Sequence, residues 1–85
     1  MLKYIQSILR KQANDDLGYY FIDLLDYREI IKYNPKTDRF EISRQKIDAK
    51  IEWAFKLRGY YDKKPIEGTN VYVQMDTYIL TFWLE

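Results

Sequence analysis

The side chains that could do chemistry in this sequence are hydroxyls, carboxylates and amines. None of the 85 residues is Cys or His, which removes disulfides, thiolate nucleophiles, imidazole bases and the common Zn, Fe and Cu ligand sets together. Without His no Ser, base and acid triad can be assembled, and what remains for nucleophilic catalysis is a Ser-Lys dyad built on Ser7 or Ser43. Neighbouring carboxylates, Asp15 with Asp16 or Asp23 with Asp26, divide acid and base roles only if burial separates their pKa values. Gly18, Gly59 and Gly68 are scattered, and none lies in the G-x-G or GK[ST] context of a phosphate loop.

Pro35-x-x-Asp38 followed by Asp48-x-Lys50 supplies the residue types of an acid, acid and lysine set that holds Mg²⁺ and positions a water. Nuclease sites of that kind place the second acid and the lysine on a strand, where alternation points both the same way. Here Asp48 and Lys50 fall within an expected helix and project about 200° apart. These residues therefore read as a solvated face, and the expectation is a protein with no catalytic residues, no metal and no cofactor.

Binding chemistry is better represented. Aromatic residues make up 18% of the chain, as nine Tyr, four Phe and two Trp. That is more phenol and indole than a small core can bury with every polar tip satisfied. Some rings must lie at the core edge, and protein interfaces draw on the same residue types. Lys46, Lys50, Trp53 and Leu57 project together from the expected helix, beside the Ile47, Ile51, Ala54 and Phe55 face that reads as core. Trp53 in that setting is either an interface anchor flanked by lysines or a widening of the buried face with Lys46 and Lys50 snorkelling at its rim. With Tyr60 and Tyr61 in the following loop, these residues form the candidate partner-binding set.

The elements that must position these groups follow from periodicity. Leu2, Ile5, Leu9 and Ala13 recur at helical spacing and predict a first helix, ended by Asn14-Asp15-Asp16. Leu17 to Tyr33 reads in two ways. Leu17, Phe21, Leu24 and Leu25 have helical spacing, and Asp26-x-x-Glu29 is patterned as a capping box. Ile30 to Tyr33 and Arg39 to Ile42, separated by an Asn, Pro and Asp turn, have the alternation of a hairpin. The hairpin is preferred, with Tyr19 to Leu25 as a preceding strand. Ser43 to Leu57 predicts the second helix, with Ser43 as N-cap and Gly59 just past its end. Tyr60 to Asn70 reads as a loop. Val71 to Leu84 reads as one long strand or a hairpin through Asp76-Thr77. On its last segment Tyr78, Leu80, Phe82 and Leu84 fall on one side and Ile79, Thr81 and Trp83 on the other, so both faces are largely apolar. Such a strand is either central and covered on both sides or an edge with a sticky outer face; because one helix layer covers only one face of a small sheet, homodimerisation or partner docking through the other is an expectation, with Tyr78, Leu80, Phe82 and Trp83 as the candidate self-association strand.

The bulk numbers bound the rest. Eighty-five residues allow one domain, in which a core this small needs every large apolar side chain. A formal net charge of +1 is far from the strongly basic balance of a nucleic-acid-binding domain and equally from an acidic DNA mimic. No apolar run approaches the about 20 residues that span a bilayer. The N-terminal residues do not form a secretory signal, so cytoplasmic residence is the expectation. Charge is polarised along the chain: residues 65 to 85 carry only acids, while Arg44, Lys46, Lys50, Lys56, Lys63 and Lys64 concentrate in the second helix and its following loop. The sequence thus predicts a single α+β domain, two helices on a small, mainly antiparallel sheet. Its expected role is a non-catalytic protein-binding module. A small inhibitor or regulator encoded by a phage, virus or plasmid fits its size, its Ile-, Lys- and Tyr-rich composition and its lack of catalytic groups. The alternative is a nucleic-acid-binding regulator that sets the same basic residues on phosphates and stacks Trp53 or a Tyr on a base.

Overall fold

In a computed structural model the chain forms two helices and a five-stranded antiparallel sheet, the α+β arrangement expected from the sequence. The structure describes residues 1–15, 23–55, 57 and 61–85. Helix α1 (Leu2–Asp15) buries Ile5 and Leu9 at the spacing seen in the sequence, with Leu2 and Ile8 partly covered beside them. The chain re-enters at Asp23, whose side chain accepts the backbone N–H of Leu25 at 2.9 Å and starts a 3-10 turn over Leu24–Tyr27. The Gln6 side chain of α1 accepts the same N–H at 3.3 Å, tying the turn to the helix. A strand through Leu25 is therefore corrected: a short acidic side chain captures the backbone two residues on and closes a turn instead. The Asp26-Glu29 capping box is not formed, since Asp23 is the cap. The proposed strand residues Tyr19 to Ile22 lie outside the described residues.

The hairpin follows as expected. Strands β1 (Ile31–Asn34) and β2 (Arg39–Ser43) pair with Ile31 opposite Ile42 and Tyr33 opposite Phe40. Asn34 organises the turn between them. Its carbonyl accepts Asp38 N–H at 2.8 Å, its side chain accepts Lys36 N–H at 3.0 Å, and Asp38 takes the left-handed conformation at φ +58°. Asp and Asn tolerate that region better than most side chains.

The second helix differs most from expectation. Ser43 ends β2 in extended conformation and makes no side-chain cap. Arg44–Lys46 form a 3-10 turn, Ile47 is extended again, and α2 runs only over Ala49–Ala54. Its N-cap is Asp48, which accepts Ile51 N–H at 2.8 Å. Sheet pairing is the physical reason. Ser43 sits opposite Ile79, and Arg44 N–H continues the ladder by donating to Tyr78 carbonyl at 2.9 Å, so these backbone groups are already committed when a helix would need them. Gly59 lies outside the described residues.

Tyr61 to Pro65, read as loop, form edge strand β3 (Tyr61–Pro65) against β4 (Val71–Met75), with a register shift between Tyr61 and Lys64. An edge tolerates lysines and a proline because one side of the strand makes no ladder bonds. The connection turns at Gly68, whose φ of +80° strains any residue with a Cβ, and a Cβ there would also have to displace the end of the Gln12 side chain. A tight turn leads from β4 into β5 (Ile79–Leu84), the hairpin form of the two readings for Val71 to Leu84. Strand order is β1-β2-β5-β4-β3. The face under the helices carries Phe40, Ile42, Leu80, Phe82, Val71, Val73 and Met75, closed by Ile5, Leu9, Leu24, Ile51, Ala54 and Phe55. Phe82 is its centre, with ring centroids 5.3 Å from Phe40 and 4.9 Å from Phe55.

Candidate functional site

Helix α2 places the partner-binding candidates. Ile51, Ala54 and Phe55 turn into the core, and the three-residue offset leaves Lys50 and Trp53 on the outer side. Trp53 is 58% exposed although its helix is anchored by two fully buried neighbours, Ile51 and Phe55. Of the two readings for this residue, widening of the buried face does not describe it. The stripe itself is shorter than expected. Lys46 is exposed but belongs to the preceding 3-10 turn, Lys50 is exposed on α2, and Leu57 is partly buried against the core past the end of the helix. Tyr60 lies outside the described residues, and of Tyr61 the structure describes the backbone within β3.

Asp48 joins this region to the rest of the fold. One of its oxygens caps α2, and the other accepts the Tyr27 hydroxyl at 3.0 Å. A residue considered for metal chemistry thus serves as a cap and a link between two turns. Asp38, its would-be partner, accepts a hydrogen bond from the Tyr33 hydroxyl in the distant hairpin. That carboxylate, together with partial burial, holds the Tyr33 phenol above the usual tyrosine range. Among the described residues no group of three His, Cys, Asp or Glu side chains converges as a metal site, and no helix is long and apolar enough to cross a membrane.

Of the two placements open to the candidate self-association strand, the structure shows the central one. β5 is central, hydrogen-bonded to β2 on one side and β4 on the other, so it offers no edge to a second chain. Leu80 and Phe82 are sealed in the core. Tyr78 is not on the strand but in the turn before it, 80% exposed. Trp83 faces away from the helices and is nevertheless only 6% exposed. Its cover is a row of side chains across the outer sheet face. The Arg39 guanidinium lies 3.7 Å from the Trp83 ring centroid, Tyr72 stacks on the other side at 6.1 Å and 23°, and Lys63 Nζ sits 5.1 Å from the Tyr72 ring. Glu85 closes the row, accepting Trp83 Nε1–H at 2.8 Å and Lys63 Nζ at 2.7 Å. The lysine, then the indole N–H, hold the Glu85 carboxyl below the usual glutamate range.

Sequence reasoning missed this row because the strands were read singly: which strands lie side by side is set by long-range pairing, and β3, which supplies Lys63, was read as loop. The signal was present in period 2: Arg39 and Glu41 alternate with Phe40 and Ile42, and Tyr72 with Val71 and Val73. The basic set is divided by the same topology. Lys63 is committed to Glu85 and Tyr72 on the outer face, whereas Lys50 and Trp53 belong to the helix layer.

The chain matches no protein-family model, no curated protein and no solved structure.

Proposed function

We propose that this protein is a non-catalytic binding module that docks on another protein through the outer side of α2, with Trp53 as its anchor. The exposure of Trp53 on a helix fixed in the core carries the reading. A large rigid side chain held in water by a buried scaffold loses little conformational freedom when a partner covers it, and Trp is the residue type most enriched among interface anchors. Lys50 on α2 and Lys46 in the preceding 3-10 turn are both exposed. The non-catalytic part of the reading rests on the absence of Cys and His, and a mobile-element inhibitor or regulator acting in the cytoplasm is the biological role that size and composition favour.

The test is capture of a partner by wild type and by Trp53→Ala, with the variant's fold checked by circular dichroism. Truncating an anchor is expected to cost about 2 kcal/mol of binding or more. A folded variant that retains every partner with undiminished affinity refutes Trp53 as the anchor. Capture of nucleic acid instead, weakening with salt at a log-log slope of about −0.9 per duplex phosphate contacted, would favour the regulator alternative.

A further inference from the structure

We propose that Tyr27 is a positioning residue of the docking site: its hydroxyl, bound to the Asp48 cap, sets the orientation in which α2 presents Trp53. The inference rests on the reading of Trp53 as an anchor and adds to it a control on how that anchor is held.

Helix α2 is six residues long, well short of the roughly 12 to 15 at which an isolated helix begins to hold in water. Its geometry is therefore set by what grips it from outside. Below it, Ile51 and Phe55 are sealed in the core. They stand four positions apart, on one stripe of the helix. Such a stripe keeps the helix down on the sheet, and rocking about the line through the two side chains is the softest motion it leaves. Trp53 lies about 200° round the axis from both, so it swings through the widest arc of that motion.

Asp48 supplies a further attachment, to a different element. One oxygen accepts Ile51 N–H at 2.8 Å and starts the helix, while the other accepts the Tyr27 hydroxyl at 3.0 Å. The far end of this tether is itself fixed. The Tyr27 ring is partly buried against the core, Leu24 of the same turn is sealed within it, and Leu25 N–H is held by Asp23 at 2.9 Å and by Gln6 of α1 at 3.3 Å. A chain of contacts thus runs from α1 through the Leu24–Tyr27 turn to the first residue of α2. A hydrogen bond is directional, so it fixes an angle as well as a distance. An anchor whose orientation is set before contact leaves little to be ordered on binding.

The experiment compares Tyr27→Phe with wild type in the full chain, because phenylalanine keeps the packing of the ring and removes only the hydroxyl. By NMR, amide exchange of Ile51 and the α2 residues after it is expected to quicken about fivefold, as for loss of one ordinary hydrogen bond. The amides of β4 and β5 should be unchanged, and the order parameter of the Trp53 indole N–H should fall. In an Asp48→Ala background Tyr27→Phe should change nothing further, since the two residues act through one contact. With the partner purified, Tyr27→Phe should lower affinity about threefold. Unchanged exchange in α2, additive effects in the double variant, faster exchange throughout the sheet, or undiminished affinity with a loosened α2 each overturns the proposal and leaves Trp53 docking standing. Trp53→Ala binding as wild type does would instead remove the docking reading, and this proposal with it, whatever the exchange shows.

Discussion

The two tryptophans show how burial is set by neighbours more than by residue type. Trp53 has a helix beneath it and water above, whereas Trp83 lies on the uncovered sheet face but is closed over by Arg39, Tyr72 and Glu85. Acrylamide quenching should therefore separate them: Trp53→Phe leaves a protected emission, Trp83→Phe an accessible one, and equal quenching of the two variants contradicts the placement. Truncation should separate positions in the same way. Phe82→Ala opens the centre of the core and should cost about 3–5 kcal/mol in denaturant unfolding. Trp53→Ala should stay within about 0.5 kcal/mol, as surface substitutions do. Glu85 gives a residue-level pH prediction. Its folded pKa is depressed by Lys63 and Trp83, so the stabilisation from its charge is complete above the unfolded value of about 4.3 and is lost as pH falls through the lower folded value. A carboxyl NMR titration should show that depression, and Lys63→Ala should move the midpoint back up; an unmoved midpoint would exclude Lys63 as the main cause.

At the level of elements, what was legible followed period and turn chemistry. The spacing of Leu2, Ile5 and Leu9 gave α1, and alternation around Asn34 to Asp38 gave the first hairpin. Alternation over Val71 to Leu84 gave strand but left one long strand and a hairpin through Asp76-Thr77 both open, and the structure shows the hairpin. Ser43 to Leu57 was misjudged because its local pattern is helical while its first residues are claimed by neighbours far along the chain, as the Ser43–Ile79 and Arg44–Tyr78 pairs show. No local signal reports such a contact. β3 was hidden by Lys63, Lys64 and Pro65, residues an edge accepts and a central strand refuses. The candidate site was legible at Trp53 and Lys50, whose outward projection survives the shortening of the helix. The exposure of Tyr78 was hidden by counting it into a strand that begins one residue later. The corrected cap makes a prediction of its own. Asp48→Ala should destabilise by about 1 kcal/mol through loss of the α2 N-cap, and Ser43→Ala should be close to neutral. Equal losses in thermal unfolding would restore the longer helix.

For the whole molecule, the sheet is finished on both faces by its own side chains: an apolar layer under the helices, and outside it a row in which Arg39, Trp83, Tyr72, Lys63 and Glu85 are one another's partners. With β5 central, that strand offers no edge to a second copy, and light scattering should report the 10.5 kDa monomer; twice that mass at micromolar concentration would point to pairing through the edge strands β1 or β3. Among the described residues the exposed large hydrophobic side chains are Met1, Tyr4, Tyr33, Trp53 and Tyr78, and the proposed docking surface is built on Trp53. The most direct measurement is the affinity of the purified partner for wild type and for Trp53→Ala, each shown to be folded. The account predicts a loss of at least tenfold on truncation of that one side chain; unchanged affinity would contradict it.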